Sequence, residues 1–331
     1  MHDGSERKNM CIGLLKKQPD LIFLKPVFKS MIWGGHRLAE DFGYVIPSET
    51  TGECWAVSAH EHGDCTVADG QYKGRSLSEL WKNEPDLFGG ETEGKFPLLI
   101  KIIDAKQDLS IQVHPDDKYA AENENGSLGK TECWYVLDAV PGATIVIGHN
   151  ASSKEEMCRM IDEKDWKSFI REIPVKKGDF FQIDPGTLHA IKGGTLILET
   201  QQNSDITYRV YDYDRLSGGK PRELHLEKSK DVIICPFDGS VKEPDNPAPV
   251  KMSGKGSFSR LVESKYYSVY NMTVNGKARL TEKVPFLIAS VVDGFGSVNG
   301  RKLLKGDHFI APSGVKKLDF SGDIQLIISH I

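Results

Sequence analysis

The stretch Ser110-Ile111-Gln112-Val113-His114-Pro115-Asp116-Asp117, followed by Gly129-Lys130-Thr131-Glu132 and later by Asp184-Pro185-Gly186-Thr187-Leu188-His189, decides how this chain is read. Each piece falls on a predicted strand or strand-end turn. Gln112 and His114 stand two apart, as do Lys130 and Glu132, so on a strand each pair projects from one face. His189 follows a Pro-Gly turn that fixes the chain where a strand ends. Together the pieces offer one amide oxygen, two imidazoles and one carboxylate, a set suited to a divalent metal with positions left open for a substrate. Three strands of one barrel would aim the four ligands at a common interior point.

Outward from these pieces, short apolar runs alternate with Gly, Pro and Asp turns from Leu21 onward, the pattern of a β-rich chain. Strands are predicted at 109–114, 132–138, 143–147, 179–183, 195–201 and 206–211. Another runs from Phe96 to Ile103 with Lys101 in its middle, a charge that needs a partner there. Helices are predicted over 76–83, with Ser76 as N-cap and Glu79 three residues on, and over 153–170. Prolines, glycines and charges mark a linker at 241–256. Beyond it, Lys305-Gly306-Asp307-His308-Phe309-Ile310-Ala311-Pro312 echoes Lys177-Gly178-Asp179-Phe180-Phe181-Gln182-Ile183-Asp184-Pro185, with Lys316 where the first copy reaches His189. A duplicated β-barrel unit, metal-bearing in the first copy and bare in the second, accounts for this.

Composition narrows the class. The chain has 331 residues, 39% hydrophobic and 27% charged, and a net charge of −5, which gives no reason to expect nucleic acid or an anionic membrane as partner. Six cysteines are scattered without CxxC pairs, and no apolar stretch approaches membrane-spanning length. Free thiols in a reducing cytoplasm are the expectation. The division expected is a disordered extension at 1–17, a catalytic domain at 18–240 with helical insertions, the linker, and a second barrel at 257–331. Whether that second barrel draws strands from the N-terminal part stays open.

The ligand-bearing pieces resemble the two signatures of the cupin family, an imidazole pair with a Glu and then a glycine-to-proline strand ending in His. Gln112 replaces the first His of the pair, and the gap to Glu132 is long. Both departures match the type I phosphomannose isomerases, with their QxH pair, Lys-x-Glu strand, and downstream His and Arg. The resemblance runs from Phe23 to Ile331 and includes Trp33-Gly34-Gly35 and Gly52-Glu53-Cys54-Trp55; the length is similar to the short bacterial form. It implies a mainly β fold of two cupin-type jelly-roll barrels, the first metal-bearing and the second degenerate, with short helical insertions. It implies one Zn²⁺ per chain on Gln112, His114, Glu132 and His189, and an active-site role for Arg209. Lys130, Asp205, Lys101, Ser110, Glu199 and Glu53 are implied pocket positions, Lys130 and Asp205 being the candidates for proton transfer. The implied reaction interconverts mannose 6-phosphate and fructose 6-phosphate through an enediol, in a monomer or weak homo-oligomer.

Two other classes share the barrel. An iron cupin oxygenase prefers more imidazoles and an apolar pocket, and a sugar-binding cupin without catalysis would not need Arg209 beside an intact ligand set. Of the remaining histidines, His60-Glu61-His62 reads as a turn with no second half to complete a site. His36, His149, His225 and His308 read as surface or hydrogen-bonded residues.

Overall fold

The computed structural model describes residues 20–90, 92–239 and 252–331. Leu98–Ala105 is buried along its whole length, as a near-continuous apolar run demands, and it sits inside a six-stranded sheet. The order there is Phe180–Ile183, Glu132–Ala139, Thr195–Gln202, Leu98–Ala105, Thr51–Val57, Val27–Ser30. A five-stranded sheet completes the unit, ordered Ile170–Pro174, Thr144–His149, His189–Ile191, Ile111–Val113, Tyr208–Tyr211. Trp33, Ile103, Trp134, Ile145 and Ile197 form one buried cluster drawn from both sheets. The unit is thus a jelly roll of two open sheets rather than a closed barrel.

The C-terminal sheet has eight strands and curls around its own core of Phe23, Met272, Val291, Phe309 and Leu326. It contains two strands from the other end of the chain. Ile22–Lys25 pairs with His308–Ala311 on one side and Thr66–Val67 on the other. Only Pro26 then separates it from Val27–Ser30, which pairs with Thr51–Val57 of the first unit. Between the units lies an aromatic cluster: the rings of Trp81 and Phe96 are 5.2 Å apart and those of Phe88 and Phe286 5.4 Å, all edge-on.

The helix Leu77–Asn83 forms as predicted, with a capping box from Ser76 and Glu79 and with Leu77, Leu80 and Trp81 buried. The predicted helix over 153–170 is two helices, Lys154–Asp162 and Trp166–Phe169. Lys164 takes a φ of 56° between them, ending the first, and the Asp165 carboxylate accepts from Ser168 N to cap the second. Residues 1–17 and 241–251 lie outside the described residues; Ser253–Glu263 is strand, so the end of the predicted linker is already sheet. The sequence echo has a structural counterpart. Gly178 and Gly306 adopt φ of 91° and 93°, and the Asp after each accepts from the backbone three residues earlier.

His308 is fully enclosed in the second unit. Tyr44 Oη donates to Gly306 O (2.6 Å), so it accepts from His308 Nε2 (2.9 Å), leaving Nδ1 to accept from Ser290 Oγ (2.9 Å). Burial lowers its pKa to about 3. In the unfolded chain the ring titrates near 6.5, so stability attached to the neutral ring is complete above that pH and is lost as pH falls toward 3. Between pH 7 and 4.5 the native protein is expected to lose about 2–3 kcal/mol more than His308→Gln does. Urea unfolding at the two pH values measures this, and equal losses would contradict it.

Candidate active site

Cross-strand register builds the site. Gln112 pairs with His189 on one side and with Arg209 on the other, so the three form a row on one face of the five-stranded sheet. His114 follows just after that strand, its carbonyl accepting from Gly186 N at 2.9 Å. This bond ties the loop before His189 to the segment that carries His114. Gly186 has a φ of +83°, and a Cβ there would lie 2.8 Å from Val232 O, so the turn admits no side chain. The other sheet supplies Glu132, at the start of its strand, and the neighbouring pair Lys101 and Glu199.

The donor set can be tested against a cation directly. His114 Nδ1 lies 2.8 Å from Ile206 O, and His189 Nδ1 lies 2.8 Å from Thr187 O. Carbonyls only accept, so each Nδ1 carries the proton and each Nε2 presents a lone pair. Those two Nε2 atoms face each other at 3.1 Å, which repels unless positive charge lies beside them. Glu132 is completely buried; its Oε1 is 3.4 Å from His189 Nε2 and has no hydrogen-bond partner. The Gln112 amide reaches His189 Nε2 at 3.4 Å, and a half-turn would present its oxygen instead. Lone pairs and a buried carboxylate converging on one point suit a divalent cation with nitrogen and oxygen ligands. Lys130 supplies positive charge there too, its Nζ 3.0 Å from His114 Nε2 and bonded to Glu132 Oε2.

Electrostatics follow. Burial, with Lys130 adding to it, lowers the His114 pKa to about 3. Burial likewise lowers His189. Burial works against the charge on Glu132, yet Lys130, His114 and His189 hold its carboxyl well below the usual range. Lys101 is raised, because Glu199, Glu53 and Glu132 outweigh its desolvation; its Nζ is 3.2 Å from Glu199 Oε1.

A cavity of about 320 Å³ opens over this cluster. Its walls include Glu53, Lys101, Ser110, Gln112, Lys130, Glu199, Asp205 and Arg209, so every pocket position implied by resemblance faces one space. Trp33 and Trp55 contribute wall, and Trp55 Nε1 donates to Glu53 Oε2 at 2.7 Å. Sequence reasoning missed Arg222, also on the wall, which is held by Asp212. It sits in a polar stretch with no periodicity to single it out. The turn around His60 and His62 does have a second half, Asp205, whose Oδ2 is 2.6 Å from His62 Nδ1. His149, His225 and His308 are hydrogen-bonded, as expected.

Comparison with known proteins places this geometry. The phosphomannose isomerase type I catalytic domain matches residues 21–137, and the mannose-6-phosphate isomerase cupin domain matches residues 257–331. The mannose-6-phosphate isomerase ManA of Bacillus subtilis is 49% identical over 315 residues, covering 94% of this chain and 98% of that one. The chain belongs to the type I phosphomannose isomerases. A mannose-6-phosphate isomerase of Streptococcus mutans is 47% identical, over 93% of this chain and 98% of its own. The crystal structure of the mannose 6-phosphate isomerase from Bacillus subtilis matches with a TM-score of 0.89 at 49% identity, over 95% and 100% of the two chains. The short bacterial length and the mainly β cupin architecture expected of this phosphomannose isomerase family therefore hold.

Proposed function

We propose that this chain is a cytoplasmic, metal-dependent enzyme interconverting mannose 6-phosphate and fructose 6-phosphate, with one Zn²⁺ held by Gln112, His114, Glu132 and His189. The observation that carries the reading is the pair of imidazole lone pairs facing each other beside the orphaned Glu132 Oε1, under a cavity walled by Lys101, Lys130 and Arg209. Names of the half-identical relatives supply mannose 6-phosphate and its isomerisation. When bound, the ion acts as a Lewis acid that draws charge from the sugar oxygens.

Aldose–ketose exchange removes a proton from the carbon beside the carbonyl and returns it one carbon away, through an enediol. Asp205 is suited to hold that proton. Burial pushes its carboxyl up, but the bond to His62 and the neighbouring imidazoles bring the pKa below its ordinary value, so it is an available base at neutral pH. Lys130 and Arg209 line the cavity, where their charges would stabilise the oxygens on which charge develops. Arg222, beside them, adds a cation for the phosphate. Such a wall disfavours an oxygenase for apolar substrates. Among the described residues no helix is long and apolar enough to cross a membrane.

Chelation is expected to abolish turnover of mannose 6-phosphate in a coupled assay, and zinc to restore it. Full activity in metal-stripped protein, or no turnover in fully metallated protein, would overturn the reading.

A further inference from the structure

We propose that His60 and His62 are positioning residues which clamp the Asp205 carboxylate, one imidazole to each oxygen, and hold it toward the cavity. The inference rests on the reading of Asp205 as the proton-holding group and adds to it how that group is oriented.

His62 Nδ1 lies 2.6 Å from Asp205 Oδ2, and His60 Nε2 lies 3.5 Å from Oδ1. The imidazoles come from a tight turn in which Ala59–His60 pairs with Gly63–Asp64. Fold alone therefore brings together groups 143 residues apart. His60 is itself fixed. It is buried, edge-on to Trp55 at 5.7 Å between ring centres, and its Nδ1 accepts from His62 N at 3.1 Å.

The three side chains place one ligand atom each within 4.8 Å of the others, so a cation site has to be weighed. Proton placement decides against it. Because His60 Nδ1 accepts a backbone N–H, the neutral ring carries its proton on Nε2, the atom facing Asp205. His62 Nδ1, against a carboxylate oxygen at 2.6 Å, is a donor as well. Both nitrogens at the centre are donors whether the rings are neutral or protonated, and a cation would have to displace both. His114 and His189 show the opposite polarity, with Nδ1 donating outward and lone pairs converging. One pair of imidazoles is arranged to receive a cation and the other to grip an anion.

Asp205 is a loop residue, 38% exposed on its side chain, and such a carboxylate rotates freely without partners. The hydrogen bond from His62 and the charge contact with the fixed His60 ring hold it, and misplacement of a reacting group by about 1 Å can cost about a hundredfold in rate. The other charged groups around the turn are Lys29, whose Nζ donates to His62 O, with Glu61, Lys95 and Asp64.

The test uses the full-length, zinc-loaded enzyme. His62 is 65% exposed, so His62→Ala should fold. It is expected to lower kcat by about 10- to 100-fold with little change in KM, and to move the acid limb of the kcat profile to higher pH, since the carboxylate loses a donor. His62→Asn, which keeps an N–H, should recover most of the rate. His60→Gln should act in the same direction. Unchanged kcat and acid limb in both His62→Ala and His60→Gln would overturn the clamp. So would a second equivalent of zinc bound by the native chain and lost in His62→Ala. Asp205→Asn separates the two readings: if it is active, the role of Asp205 itself fails. If it is inactive while both His62→Ala and His60→Gln behave like the native enzyme, only the clamp fails.

Discussion

Glu132→Gln is expected to leave a folded protein that retains almost no zinc after dialysis and turns over mannose 6-phosphate roughly 10³-fold more slowly. Glu132 is the one anion in the proposed ligand set and is wholly buried. Its Oε1 has no partner in the protein, while Oε2 bonds to Lys130. The amide keeps the volume and removes the charge. Lys130 and Lys101 would then share Glu199, which lies 4.0 Å from one and 3.2 Å from the other. A cation would meet two imidazoles, two neutral amides and an unrelieved ammonium. Metal analysis beside steady-state kinetics measures the outcome. One zinc per chain with activity within tenfold of native would remove Glu132 from the ligand set.

Arg209→Ala should cost roughly 10²–10³-fold in kcat/KM with zinc content unchanged. The guanidinium projects beside Gln112 in the same cross-strand row. Its Nη1 donates to Glu223 O at 2.8 Å, which anchors the fork, while its Nε is buried without a partner. Arg209 also lines the cavity, where its guanidinium would meet a bound substrate oxygen. Arg209→Lys should restore little, because an ammonium lacks the planar fork. A loss mainly in kcat assigns Arg209 to charge developing in the transition state, and a loss mainly in KM assigns it to ground-state binding. Activity of the alanine variant within threefold of native would exclude both.

Much of the site was legible because its spacing is local. The two-residue spacing brings Gln112 with His114 and Lys130 with Glu132 to one cluster, although His114 and Lys130 lie just outside their strands, and Pro185-Gly186 marks the turn that delivers His189. The capping box of Leu77–Asn83 is equally local. What stayed hidden depends on register between distant segments. His60 and His62 gain meaning only when a tight turn is laid against Asp205, far along the chain. Arg222 reaches the cavity through its grip on Asp212, which no periodicity reports. The break after Asp162 was missed for a different reason: apolar spacing continues through Phe169, and the positive φ of Lys164 leaves no compositional trace.

The strand Ile22–Lys25 has a consequence for how the polypeptide comes off the ribosome. It is synthesised long before its neighbour His308–Ala311. The C-terminal sheet is complete only once both segments have been made, so its assembly couples distant parts of the described chain. Severing the chain between the two units would leave the distal piece without Ile22–Lys25 and Thr66–Val67, so that piece alone lacks part of its sheet.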